Sequence, residues 1–327
     1  MAIIIAIQLA CTSNDTNTLP FNSNQIKTPT SQPITPSNIS KITNVNYSTL
    51  LHTKSKTTRW YRLLENPRIT IIDFASLHEQ AQTLNRVASL IEKAGMPDNR
   101  VIKQEELDHY FKTNSLNPDT FYFGHNYNIE DLIKFLNMVQ RDHLKLNFHE
   151  QNLHQRLQEL GLLKAYAGKY KIFNPPQAIV TLTQLQADNP ISFENDSVDI
   201  AIRCTVLRHE LSHGEFSTNP SYRQHTKSFW QNTLTASEKT LFKKFLSNKG
   251  YAIKNDDLIA NEMQAYLIHS PNLRAFDPNS INLTKVRLKE LRNKFISQTN
   301  SSWIIQHFYF QKKIPTNHWN DLNCNFD

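Results

Sequence analysis

Glycine and cysteine are both scarce in this 327-residue chain, at six and three residues respectively. With so few glycines, none of the Gly-rich fingerprints that cradle a phosphate or a dinucleotide is present. Three cysteines, Cys11, Cys204 and Cys324, are too few for a disulfide scaffold. Long apolar runs are missing too. The N-terminal stretch MAIIIAIQLA, residues 1–10, is only about half of what a membrane-spanning helix needs. Acidic residues are outnumbered, 29 against 36 basic ones, for a formal charge of +7. The basic residues are scattered, however. Their densest cluster, around Lys285, Arg287, Lys289, Arg292 and Lys294, reads as a solvated helix face with no aromatic-basic motif beside it. No nucleic-acid partner is expected.

What is present begins at the N-terminus. The short apolar run suits the core of a secretion signal and ends in Leu9-Ala10-Cys11. That ending resembles a bacterial lipoprotein cleavage box, in which the cysteine becomes the lipidated first residue and anchors the protein to a membrane. Gln8 stands where the box usually has leucine, and no Lys or Arg precedes the run. An ordinary signal peptide is the other reading. Either one exports the protein to the cell envelope or beyond. Residues 12–46 are dominated by Ser, Thr, Asn and Pro and bury too little apolar surface to offset their ordering entropy, so they read as a disordered tether. The folded part is expected from about Asn46, as an N-terminal α/β lobe over 47–165 and a catalytic lobe over 166–327.

The apolar pattern predicts strands at 68–74, 99–103, 169–174 and 178–184. It predicts helices at 77–95, 105–111, 128–145 and 150–161, then almost all helix from 197 onward, at 197–216, 220–231, 236–248, 256–269, 284–298 and 301–310. Strands early and helices late point to an α+β fold, mainly helical, with a small sheet next to the helix that carries the chemistry.

That helix contains TVLRHELSHGEF, residues 205–216. His209 and His213 are one turn apart and project from one face, so two imidazoles can reach a single ion. Glu210 lies about 100° round the helix, beside such an ion, where a carboxylate can take a proton from a polarised water. Ile202, Val206, His209, His213 and Phe216 form one stripe with apolar neighbours, so the histidines belong to the interior. Two imidazoles and a carboxylate in a core are costly unless a cation pairs with them. A catalytic zinc site needs a third protein ligand. The metzincin pattern is excluded, because Phe216 and Asn219 occupy its Gly and His positions. The best candidate is Glu262 in NEMQAY, 49 residues (262 − 213) after His213, on a helix where Leu258, Glu262, Tyr266 and His269 share a face.

The two blocks together resemble the gluzincin class of zinc metallopeptidases, with H-E-x-x-H on one helix and N-E-x-x-A/S on a later one. The resemblance covers residues 205–269, and the wider wording is similar to a family of exported bacterial proteins. It implies a zincin-like fold and one zinc ion held by His209, His213 and Glu262, with Glu210 as general base. It also implies an edge strand over the cleft that binds extended peptide, for which residues 178–184 are the candidate. Thermolysin-like members carry Asp where this chain has Tyr266, so the partner bracing a zinc histidine is open among Asp256, Asp257 and Asn261. Tyr266 and His269 are the foremost candidates to stabilise an oxyanion, with Tyr222, Arg223 and His225 behind them.

His149 and His154 are one residue too far apart to converge, and His78-Glu79 has no second histidine in register. Cys204 lies in the buried stripe, and pairing with Cys324 is possible in an exported protein. The leading expectation is a metallopeptidase acting on a peptide or protein. Two alternatives remain: an anchored binding or effector protein with a structural zinc, and a zinc amidohydrolase acting on a non-protein envelope substrate.

Overall fold

The computed structural model describes residues 2–3, 42–91, 95–171, 176–189, 195–273, 275–299, 302–310 and 324. Its strands are β1 (Ala2–Ile3), β2 (Thr43–Val45), β3 (Arg59–Leu63), β4 (Ile69–Phe74), β5 (Gly124–Asn128), β6 (Lys164–Tyr166), β7 (Lys169–Lys171) and β8 (Ala178–Thr183). Its main helices are α1 (Tyr47–His52), α2 (Leu77–Ile91), α3 (Gln104–Thr113), α4 (Ile129–Arg141), α5 (Phe148–Glu159), α6 (Ile200–Thr218), α7 (Pro220–Ser228), α8 (Ala236–Asn248), α9 (Asp256–His269) and α10 (Lys285–Ser297). The fold is α+β and mainly helical, with a small mixed sheet against α6.

Six strands form the main sheet in the order β1-β5-β8-β4-β3-β2, and β6 and β7 pair separately. Side chains alternate between its two faces. Ile69, Ile71, Ala178, Val180 and Leu182 join the core around α6, whereas Ile72, Phe74, Tyr127 and Ile179 join the core around α2 and α4. Helices therefore cover both faces. Strands from both sides of residue 165 share this sheet, so the expected lobes 47–165 and 166–327 stand on one scaffold.

Helix α6 starts where Asp199 accepts a hydrogen bond from the amide of Ile202 at 2.7 Å. It then runs buried on nearly every side. Gly214 lets it lie close to the sheet, since a Cβ there would come within 2.8 Å of Ile69 Cδ1. Near the start of the helix, Arg203 makes a two-pronged pair with Asp73 on β4, at 2.7 and 2.9 Å, and donates to the carbonyls of Leu50, Leu51 and Thr183. A buried ion pair stabilises only when its remaining donors are satisfied, and here they are. The result is a helix fixed at once to β4, β8 and α1.

Several expectations need correcting. Residues 99–103 form no strand; Val101 and Ile102 bury their side chains without a strand partner, ahead of α3. Strand β8, the expected edge strand, lies in the sheet interior between β5 and β4. All six of its residues are buried, as in a strand covered on both faces. The strand that borders the site is β5, antiparallel to β8, with Ala2–Ile3 pairing along its outer side. Within the expected tether, Thr43–Val45 pairs as β2 with β3. The signal-like segment 1–11, apart from Ala2–Ile3, and the lipidation candidate Cys11 lie outside the described residues. Among those described, no helix is long and apolar enough to cross a membrane.

Candidate metal centre

Helices α6 and α9 pack against each other and bring the two sequence blocks together. Helix α9 begins at Asn255, whose side chain accepts from the amides of Asp257 and Leu258. Two turns on, Glu262 faces α6. Its carboxylate oxygens lie 3.7 Å from His209 Nε2 and 3.6 Å from His213 Nε2. The three ligand atoms fall within 4.8 Å of one another, and all three residues are fully buried.

Those distances decide what the cluster is for. Both exceed the 2.7–3.2 Å of an N–H···O hydrogen bond. Donors placed roughly 2.1 Å from a tetrahedral ion sit about 3.4 Å from one another. Among the described residues, neither His209 Nε2 nor His213 Nε2 has a hydrogen-bond partner. Two imidazole lone pairs and a carboxylate, buried and spaced as ligands rather than as donors and acceptors, can hold a metal ion.

The tautomer of His209 supports this. Ser270 Oγ donates to the carbonyl of Ala265 at 3.0 Å, so it accepts from His209 Nδ1–H at 2.7 Å. That leaves the Nε2 lone pair facing Glu262. Asn261 is the polar neighbour of the His213 ring, and its oxygen also accepts from Gln264 Nε2. Burial pushes the His213 imidazole down to about 3 and holds His209 well below its ordinary range, so both rings are neutral at pH 7, as ligands must be. Asp256 and Asp257 are exposed and pair with Lys243 and Lys227 instead, so neither braces a histidine. Ser270→Ala removes the acceptor that orients His209. Zinc affinity, measured by competition with a chromogenic chelator, should fall about 10- to 100-fold with the fold intact.

Glu210 is buried beside this group. Asn126, at the centre of β5, donates to its Oε2 at 3.1 Å. Gly124 makes that approach possible, because a Cβ there would lie 2.6 Å from Val206 Cγ1 and 2.9 Å from Glu210 Oε1. Tyr266 packs its ring edge-on to His209, centroids 4.7 Å apart, and the phenol of Tyr251 lies beside its own. Burial, reinforced by the Glu262 carboxylate, holds both phenols well above their usual range, so they stay protonated donors.

His269 is placed differently. The Tyr222 hydroxyl donates to Gln264 Oε1 at 2.6 Å and accepts from His269 Nε2 at 3.0 Å. Gln264 Nε2 in turn donates to Ser212 Oγ. His269 and Tyr222 thus belong to a hydrogen-bonded seam joining α6, α7 and α9. Arg223 donates to the carbonyls of Phe216 and Ser217 at the end of α6, and His225 packs on Phe295. Elsewhere, His78 pairs with Asp119 and His154 packs on Tyr170.

Sequence reasoning missed Asn126, Gly124, Tyr251 and Ser270. Strand β5 reads GHNYN, with no apolar alternation to mark it. Ser270 is one residue past the helix that carries Glu262. The only cue for it was the adjacent Pro271, which signals a helix end and not a ligand partner. Cys204 of α6 and Cys324 form a disulfide. No family model matches the chain, and no curated protein or solved structure matches it either.

Proposed function

We propose that the protein is a zinc-dependent hydrolase, a metallopeptidase of gluzincin type that cleaves peptide bonds with Glu210 as general base. The observation that carries this is the buried convergence of His209, His213 and Glu262 with a carboxylate from the next helical position beside them. Zinc is favoured over other divalent ions by two imidazoles and one carboxylate, a ligand set common in zinc hydrolases. When bound, zinc would supply Lewis-acid polarisation and lower the pKa of water towards about 7.

The chain's own residues do the rest. Glu210 takes the proton from the attacking water and returns it to the leaving amine. Asn126 holds that carboxylate in place by donating to its Oε2. Tyr266, a protonated phenol next to Glu262 and His209, donates to the negative charge that develops on the carbonyl oxygen, with Tyr251 beside it. Strand β5 borders the site, and its outer side already accepts Ala2–Ile3 as an antiparallel partner. An extended peptide can add to a strand edge in the same manner. A mixed sheet against the motif helix supports the zincin-like assignment, and the Cys204–Cys324 disulfide supports export to an oxidising compartment.

Full-length protein dialysed against zinc should retain one ion per chain by elemental analysis. It should cleave an unstructured peptide mixture in a reaction that a chelator stops and zinc restores. Protein that keeps no metal would overturn the reading. The complete burial of the three ligands favours one alternative, a zinc that only holds the fold. Retained zinc without any cleavage would establish that alternative instead.

A further inference from the structure

Helix α8 is capped by Lys249, and Gly250, at φ +84°, turns the chain so that Tyr251 follows directly into the site wall. The same turn carries the Lys249 ammonium over two rings, 5.2 Å from the centroid of Phe245 and 5.4 Å from that of Tyr266. Tyr266 also borders the metal centre, its ring 4.7 Å from that of His209. Lys249 is therefore a cation one aromatic ring away from a candidate zinc ligand.

This cation has no counter-charge of its own. Among the described residues Lys249 Nζ makes no hydrogen bond and no ion pair, whereas Lys227 and Lys243 both pair with aspartates. Burial alone lowers it, to about 8, and no carboxylate offsets that effect. The two ring faces hold the ammonium in place by cation–π attraction without neutralising it. A half-buried, positioned and uncompensated cation beside a hydrolytic centre is a subsite for an anion that arrives with the substrate.

We propose that Lys249 forms an anionic subsite that selects substrates carrying a carboxylate close to the bond that is cleaved. The inference rests on the hydrolase reading above. Two sources present this chemistry, the free C-terminus of a peptide or the side chain of an Asp or Glu residue. A carboxylate meeting a partly desolvated ammonium gains a charge-assisted hydrogen bond, which a neutral amide of the same shape does not.

Zinc-loaded full-length wild type and Lys249→Met are compared with two sets of peptides, acid against amide at the C-terminus and Glu against Gln in the chain. Cleavage is read as kcat/KM, and binding of N-acetyl dipeptide acids and amides is read by calorimetry. Wild type should prefer the acid form of one set by at least about tenfold, in cleavage or in binding. Lys249→Met should lose that preference while handling the neutral peptides as wild type does, and Lys249→Arg should keep it. The set that shows the preference identifies the source of the carboxylate. Acid-selective binding that depends on Lys249, without cleavage of any peptide, supports the subsite and overturns the peptidase reading. Cleavage or binding with no acid preference, or a preference that survives in Lys249→Met, overturns the subsite.

Discussion

Replacing Glu210 with glutamine should reduce kcat by about 10²- to 10⁴-fold, the range attributed to a general base, while zinc content stays at the wild-type level. The substitution is suited to separating chemistry from structure. Glutamine keeps the shape of the side chain, and its single oxygen can still accept from Asn126 Nδ2, which now donates to Glu210 Oε2 at 3.1 Å. What it lacks is the basicity to take a proton. Glu210 is fully buried, so truncation to alanine would open a cavity against Gly124 and Val206 and confound the result. The measurement is a pair: elemental zinc per chain, and kcat on any peptide that wild type cleaves. A variant that retains its zinc and turns over as fast as wild type would refute the base assignment, whatever the metal is doing.

The parts of this site that were legible in the sequence are those set by helix geometry. A four-residue step between His209 and His213 fixes their common face, and the run of helical signals around Glu262 fixes its own. The distance of 49 residues between them cannot be converted into proximity by any periodicity, and only the two-block pattern suggested it. The illegible parts come from strands and from chain ends of helices. Strand β5 is held by its neighbours β8 and β1 and by packing on α6, not by its own propensity, and its polar residues are buried because they serve Glu210 and Tyr127. Tertiary context overrides strand propensity more readily than helix propensity. The misplaced edge strand has the same origin. An AIVTLT segment, rich in β-branched residues and with no charge, signals burial on both faces, and that places β8 inside the sheet; its neighbour was unreadable. Helix α9 was legible at both ends, because Asn255 caps its start and Ser270-Pro271 closes it. His269 shares a sequence face with Glu262, yet Tyr222 captures it, and no one-dimensional pattern reports a partner on a third helix.

Stripping the metal should cost about as much stability as a large-to-small substitution in the core. The ligands are fully buried, so without an ion two bare imidazole nitrogens confront a carboxylate at 3.6–3.7 Å, too far for hydrogen bonds and shielded from water. Metal bound only by the folded state stabilises by about 4 kcal/mol when free metal exceeds its Kd a thousandfold. In a protein of this size that corresponds to a Tm difference of roughly 6 °C. The effect should depend on pH with a definite sign. Burial lowers His209, His213, His269 and His125 in the folded state, against about 6.5 for an unfolded histidine. Their contribution is therefore complete above pH 6.5, and is lost as pH falls from there towards about 3, the position of His213. At pH 5 one histidine held neutral costs on the order of 2 kcal/mol. Protons also compete with the ion for both Nε2 atoms, so acid should weaken metal binding in the same window. Thermal melts of zinc-loaded and chelated protein at pH 7.5 and pH 5 read both effects. The expected pattern is a Tm gap at pH 7.5 that narrows at pH 5 while both curves shift down. Identical melts with and without chelator at pH 7.5 would mean that His209, His213 and Glu262 hold no ion, and the hydrolytic reading would go with them.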